Sequence, residues 1–387
     1  MKTMVLEHPR IASKKRFNDI ANTPLWSCLM GGYASASLEQ EGFDTRFVDH
    51  AVPGMTFETT RDTIQAFDPG LLCVNAVYFW EHTPKMFEFF KQLKQDGFTG
   101  HINLFGFFPT LVYRKIFGSC DVVDSIAVGE FEHTLPQLAK ALAKETGLDR
   151  IEGLALPSCL FDNKNRSRHP EKNPDIFPFP KRASLDGTVT LLASRGCYNH
   201  CSFCPVPSFY NQGSLWRGRS PENIAKEMQE LVDQGVNQFY FADPNFIGPG
   251  AAGKKRAMEL MDLIQPMGIT FGMETRPQDL TDPILEKLVN AGFTSLLMGI
   301  ESGSKAVLNS INKSSATDVG AKAIALCRKH GIEPEVGFLM FVPDSSLDDL
   351  GQNMDFLIRN NLLDRLARTA NLLCHSQIVL AGTSGYH

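Results

Sequence analysis

Ser194-Arg195-Gly196-Cys197-Tyr198-Asn199-His200-Cys201-Ser202-Phe203-Cys204 sets three cysteines at CxxxCxxC spacing, with an aromatic residue just before the last. The stretch follows an apolar run at 189–193 that reads as a strand. Thiolates are the natural ligands of iron–sulfur clusters, and three of them leave one iron of a cubane open to an outside ligand. One competing reading is zinc, which takes four protein ligands in a structural site; no second CxxC or nearby Cys/His pair completes such a set. His200 lies inside the loop, where coordination beside both flanking cysteines would be strained. The other competing reading is a set of unpaired core thiols.

Outward from this stretch, strand and helix alternate to the C-terminus. Strands are expected at 189–193, 238–242, 269–274, 295–300, 334–341 and 368–373, with helices between them. The first helix has a start signal, Ser220-Pro221-Glu222, then an apolar face of Ile224, Met228, Leu231 and Val232, and a stop at Gly235. Six βα units in a row imply a partial parallel barrel, whose chemistry sits at the C-terminal strand ends. The cysteine loop occupies such an end.

The other half, 1–150, alternates in the same way. Strands are expected at 4–7, 45–49, 71–77, 101–105 and 125–128, and helices at 24–40, 59–66, 84–95 and 134–144. That spacing implies a doubly wound, Rossmann-like parallel sheet of flavodoxin type. Residues 151–186 change character, with Pro157, Pro170, Pro174, Pro178 and Pro180, and read as an interdomain connection before the second domain, 187–387.

Composition is that of a globular chain, 43% hydrophobic and 21% charged over 387 residues. No apolar stretch approaches the ~20 residues that span a bilayer, and residues 1–7 hold no signal-peptide apolar region, so a cytoplasmic location is expected. The formal charge of −5, without a long Lys/Arg run, argues against a nucleic-acid partner. There are nine cysteines; the six outside the cluster, Cys28, Cys73, Cys120, Cys159, Cys327 and Cys374, read as buried thiols.

With the cysteine motif at a barrel strand end, the chain resembles the radical S-adenosylmethionine (SAM) superfamily. The resemblance implies a [4Fe–4S] cluster on Cys197, Cys201 and Cys204, SAM chelated at the open iron, and an external one-electron reductant such as flavodoxin or ferredoxin. It also implies SAM-binding residues at successive strand ends: Phe203 in the motif, Asp243 after the second strand, Glu274 and Arg276 after the third, Glu301 and Ser302 after the fourth. Arg276 suits bidentate pairing with the SAM carboxylate. Taken singly, each of these also fits an interstrand salt bridge. The fifth strand departs from the family, with Phe341 where a Gly normally lets adenine approach. Adenine is then held differently, or Phe341 turns into the core.

The first half resembles the cobalamin-binding domain that precedes many radical SAM enzymes. The resemblance runs through Pro24-Leu25, 42–49, Phe67-Asp68-Pro69, 106–110, 128–135 and Phe177-Pro178-Phe179-Pro180. It implies cobalamin contacts at Asp49, Phe108, Pro109, Thr110, Gly129, Glu130 and Thr134. The Asp-x-His-x-x-Gly signature is absent, since His50 follows Asp49 directly, and Phe107 and Phe131 stand where Gly is common. A flavodoxin-like domain with an empty crevice is the alternative. Cys28, Cys73 and Cys120 also invite comparison with methylthiotransferases, whose second cluster uses three N-terminal cysteines; the local context differs.

The implied function is a cobalamin-dependent radical SAM enzyme that methylates an unactivated carbon of a small molecule. The alternatives are a non-methylating oxidation, cyclisation or rearrangement, and a cluster-bearing sensor. The last residues, 379–387, resemble a segment at which relatives continue into a substrate-facing C-terminal region, so a C-terminal extension is expected to be absent and no substrate-positioning residue is named.

Overall fold

The computed structural model describes residues 1–10, 27–77, 82–162, 164, 166–210 and 216–386, leaving aside the side chains of Ser27 and Cys28. Pro24-Leu25, the start of the helix expected at 24–40, and the Cys28 thiol therefore lie outside the described residues. The chain divides into two compact units. One comprises Met1–Lys172, Ile176–Ser184 and Phe209–Gly213; the other comprises Asn173–Asp175, Leu185–Ser208 and Ser214–His387.

The first unit runs β1 (Lys2–Glu7), α1 (Ser27–Gln40), β2 (Asp44–Asp49), α2 (Phe57–Phe67), β3 (Leu71–Asn75), α3 (Thr83–Gln95), β4 (His101–Phe105), α4 (Phe107–Ser119), β5 (Ser125–Ala127), α5 (Thr134–Ala143) and β6 (Leu154–Ala155). The strand order is β2-β1-β3-β4-β5-β6, parallel except for β6, which pairs antiparallel with β5. This is the flavodoxin-type order, and its direction reverses between β1 and β3. All five residues of β3 are buried, as a parallel strand covered on both faces requires. Asp49, Glu7, Asn75 and Phe105 are register partners and form the last rung at the C-terminal edge.

The segment 151–186, expected to be a connection, mostly belongs to this unit. Its polar groups are used there. Arg168 Nε donates to Thr134 Oγ1 at 3.1 Å, and Lys181 N donates to the Gly32 carbonyl at 3.1 Å. A Cβ on Gly32 would come within 2.2 Å of the Lys181 carbonyl oxygen, so the close approach of segment and helix depends on that glycine. Proline content does not say which body such a segment packs on.

The second unit runs β7 (Val189–Leu191), β8 (Ser194–Arg195), β9 (Arg217–Gly218), α6 (Pro221–Val232), β10 (Gln238–Phe241), α7 (Gly250–Ile264), β11 (Thr270–Thr275), α8 (Asp282–Asn290), β12 (Phe293–Glu301), α9 (Lys305–Ser310), α10 (Thr317–Lys329), β13 (Glu335–Phe338), α11 (Leu347–Arg359) and α12 (Leu366–Cys374). Its main sheet, β13-β12-β11-β10-β7, is parallel; β8 and β9 form a separate antiparallel ribbon. Phe239, Phe241, Phe271, Met273, Leu296 and Met298 share one core with Ile224, Met228 and Leu260. Each such side chain contributes about 1.5–3 kcal/mol by leaving water. Strand alternation sends Tyr240, Gly272, Glu274 and Gly299 to the opposite, concave face.

Helix α6 starts as its sequence implies: Ser220 Oγ accepts from Asn223 N at 3.2 Å, Pro221 opens the helix, and Ile224, Met228 and Leu231 are buried. The strand expected at 368–373 is instead α12. Arg368 and Leu372, four residues apart, are its buried pair, and Arg368 donates to Glu333 at 2.6 Å. A single parallel bridge, Phe341 to Ser376, follows β13 where a sixth strand was expected. Phe341 is 42% exposed and so does not turn into the core. Among the described residues, no helix is long and apolar enough to cross a membrane.

Candidate metal centre

The cysteine loop leaves β8 through Gly196, whose φ of +79° a side chain would resist. Cys201 is buried, and Cys197 and Cys204 are half-buried. The three thiols lie within electrostatic reach of one another. Burial pushes the Cys197 and Cys204 thiols above their ordinary range, and the neighbouring Cys201 adds to this. A metal that displaces the proton reverses that preference. Among the described residues, no three His, Cys, Asp or Glu side chains converge on a single-ion site. Three clustered sulfurs with no carboxylate among them fit the thiolate donor set of an iron–sulfur cluster.

The loop is fastened at several points, none of which was expected from the sequence. The Tyr198 hydroxyl donates to Asp279 at 2.8 Å, and the Arg276 guanidinium lies 4.9 Å from the centre of the Tyr198 ring. The turn after α9 forms a second wall. Ser202 N donates to the Ile311 carbonyl at 2.9 Å, Asn312 Nδ2 to the His200 carbonyl at 2.8 Å, and Asn199 Nδ2 to the Lys313 carbonyl at 2.9 Å. Gly385 N donates to the Ser202 carbonyl at 2.8 Å, so residues near the C-terminus also rest on the loop. The usable signal was local: Tyr198 and Asn199 are polar residues inside the motif itself, whereas Asn312 and Lys313 are more than 100 residues away.

Lys313 is a buried cation that acts on all three cysteines. Its Nζ lies 2.8 Å from Glu301 Oε1. Burial works against its charge, but Glu301 and Cys201 outweigh it and raise the ammonium above its ordinary range. A register shift between Gly299 and Glu301 and a Glu301 φ of +70° aim the carboxylate at this lysine. That backbone costs on the order of 1–2 kcal/mol.

The other expected SAM residues divide by how fully the fold uses them. Asp243 accepts from Ala193 N at 3.0 Å and from Ser194 Oγ at 2.5 Å, so it ties β7 and β8 to the end of β10. Burial raises its carboxyl to about 6 against those hydrogen bonds. Ser302 Oγ donates to Asn353 Oδ1 at 2.6 Å and accepts from Ser304 N at 3.0 Å. Arg276 Nη2 donates to the Lys313 carbonyl at 2.7 Å. Phe203 packs on Val307, Ile311, Leu339 and Val342. Glu274 differs: among the described residues its carboxylate meets one donor, the Tyr240 hydroxyl at 3.5 Å. Burial and nearby Asp243 raise it to about 7.

In the first unit, Thr110, Gly129, Glu130 and Thr134 come together at the β4–β5 edge. Gly129 N donates to Thr110 Oγ1 at 3.0 Å, and Glu130 Oε2 accepts from Glu171 N at 2.7 Å. Phe108 and Pro109 belong to the first turn of α4. Asp49, on β2, is separated from β4 by β1 and β3, about 14 Å at ordinary strand spacing. Phe131 is buried against Phe105, with ring centres 4.7 Å apart. His50 Nδ1 is engaged with Thr60 Oγ1 at 2.8 Å. At the β1/β3 reversal a polar group appears that the sequence did not announce. Buried Glu7 accepts from Gly31 N at 3.1 Å and from Asn75 Nδ2 at 2.8 Å, and pairs with Arg10 at 2.5 Å. His8 is buried beside it, and burial lowers its pKa to about 3.

Residues 191–357 match the family model described as the radical SAM superfamily. Residues 191–357 form a radical SAM domain. A radical SAM domain works with a [4Fe–4S] cluster and SAM, and the matched residues include the three cysteines on the loop after β8. The chain is 25% identical over 381 residues to an uncharacterised methyltransferase of Pyrococcus horikoshii, covering 92% of this chain and 77% of that protein. It is 28% identical over 263 residues to the 4′-phospho-dehydrooxetanocin synthase of Priestia megaterium, covering 60% of this chain but 35% of that one. Among solved structures, the cobalamin-dependent SAM radical enzyme OxsB, with aqua-cobalamin and SAM bound, superposes with a TM-score of 0.78 at 22% identity, over 100% of this chain and 60% of that one. The shared fold includes both the Rossmann-like sheet and the radical SAM domain.

Proposed function

We propose that the chain is a cobalamin-dependent radical SAM methyltransferase acting on an unactivated carbon of a small molecule. The observation that carries this reading is the joining, in one chain, of a flavodoxin-type sheet with a radical SAM domain. The likeness in fold to a cobalamin-dependent enzyme and the methyltransferase relative support it. When bound, the cluster and SAM supply a 5′-deoxyadenosyl radical for hydrogen abstraction, and the corrinoid supplies a methyl carrier.

The chain's own residues bind and orient. Cys197, Cys201 and Cys204 hold the cluster. Glu274, half-buried on the concave face with one long hydrogen bond, is suited to the SAM ammonium, and Glu301 to the ribose. Asp243, Ser302 and Arg276 serve the site by fixing the strand ends and the two loops around it. In the flavodoxin-type unit, ligands of open parallel sheets sit at the C-terminal strand ends. Phe108, Pro109, Thr110, Gly129, Glu130 and Thr134 supply one wall of that edge. Gly106, at φ +105°, opens it at β4. Electrons come from an external flavodoxin- or ferredoxin-type protein, and the location is the cytoplasm.

Anaerobic loading with iron, sulfide and cobalamin, followed by turnover with methyl-labelled SAM and a strong reductant, tests the proposal. S-adenosylhomocysteine and deoxyadenosine should form together, with label passing to an acceptor. Deoxyadenosine without S-adenosylhomocysteine would support the second reading, a non-methylating oxidation or cyclisation, which a relative named as a magnesium-protoporphyrin IX monomethyl ester cyclase, 27% identical over 350 residues, favours.

A further inference from the structure

We propose that Asn199 sets the reduction potential of the cluster through an N–H···S hydrogen bond to Cys201. This rests on the reading that the three cysteines hold a [4Fe–4S] cluster. Asn199 Nδ2 lies 2.9 Å from Cys201 Sγ, and both residues are buried. The same nitrogen faces the carbonyl oxygens of Lys313 at 2.9 Å and Asn312 at 3.2 Å. All three neighbours are acceptors. Turning the amide over would set its oxygen against two carbonyls and a thiolate, so the network fixes the donor toward sulfur.

The consequence is electronic. Reduction adds one electron, delivered by an external one-electron reductant, and no bond is made or broken in that step. The added charge spreads over the irons and their thiolates. An N–H donor stabilises the more negative state and raises the potential. With Asn199 only 7% exposed, water has little access to replace the donor. The carbonyls of the turn after α9 are thus a mould that orients one amide. The Asn312 side chain, which donates to the His200 carbonyl, ties the same two loops without touching a sulfur.

The test uses the full chain, loaded anaerobically with iron and sulfide. Cluster content is read from iron, sulfide and the visible spectrum, and the midpoint potential from a redox titration followed by electron paramagnetic resonance. Asn199→Leu should load and reduce less readily. A tenfold fall in the one-electron reduction constant, about 59 mV, is the expected size. Asn312→Gly keeps the left-handed backbone at φ +53° and should leave the potential in place. An unchanged or higher potential in Asn199→Leu overturns the proposal, as does an equal shift in Asn312→Gly. If Asn199→Leu takes up no iron, Asn199→Val, smaller and without donors or added charge, decides by the same measurement. Failure of both Asn199 variants to load, with Asn312→Gly loading, assigns Asn199 to loop folding and overturns the tuning role. If the unaltered chain takes up no cluster, the cluster reading itself falls.

Discussion

Replacing Lys313 by Met removes the positive end of a buried ion pair beside the cysteine loop. The ammonium and the Glu301 carboxylate lie 2.8 Å apart, with their side chains 7% and 11% exposed. At that burial the surviving Glu301 carboxylate would be left uncompensated, which costs about 3–5 kcal/mol. Glu301→Gln leaves the opposite charge uncompensated at a similar cost. The double variant has no lone charge, so its loss should fall short of the sum by about 2–3 kcal/mol. The assay is urea unfolding of the metal-free chain. With Trp26→Phe and Trp80→Phe in every variant, Trp216 alone reports, and it belongs to the unit that contains the pair. A coupling below about 0.5 kcal/mol would place the pair in effective contact with water and refute the reasoning.

Three further outcomes follow from single contacts. Burial holds the Glu7 carboxyl at about 7 rather than the ordinary 4.5. The folded state therefore binds that proton more tightly than the unfolded chain does. Its contribution to stability is full below about pH 4.5 and is lost as pH rises toward 7, by about 3 kcal/mol. Glu7→Gln should flatten that part of the pH–stability profile, and a profile parallel to the unaltered chain's would contradict it. Gly299→Ala should cost about 1–3 kcal/mol in chemical denaturation, because its Cβ would stand 2.5 Å from Glu301 Oε1 and 2.9 Å from Lys313 Nζ. Cys197→Ser should cut bound iron after anaerobic loading from about four per chain to below one, measured by a colorimetric iron assay.

The order of strands and helices was legible because parallel strands buried on both faces are continuous apolar runs. The strand expected at 101–105 coincides with β4, and that at 71–77 with β3 up to Asn75. The failures share a cause. Residues 368–373 carry one buried arginine and too few apolar residues for periodicity to separate strand from helix, and the outcome depends on what Arg368 and Leu372 pack against. Helix α4 starts in Gly106-Phe107-Phe108-Pro109, a stretch legible as a ligand-side turn but not as a helix.

By itself, the sequence determined that three cysteines stand together at CxxxCxxC spacing, because that spacing lies within one loop and needs no partner from elsewhere. It also determined the βα alternation on either side. Only the tertiary structure decided which of the expected residues the fold itself uses. Asp243 and Ser302 satisfy buried backbone and hydroxyl groups across 49 to 51 residues of chain, while among the described residues the Glu274 carboxylate meets one donor, the Tyr240 hydroxyl. It also brought Lys313 and the turn at 311–314 against the cysteine loop, across more than 100 residues. Such pairings are set by sheet order and by the closing of loops over strand ends, and no local pattern in the chain encodes them.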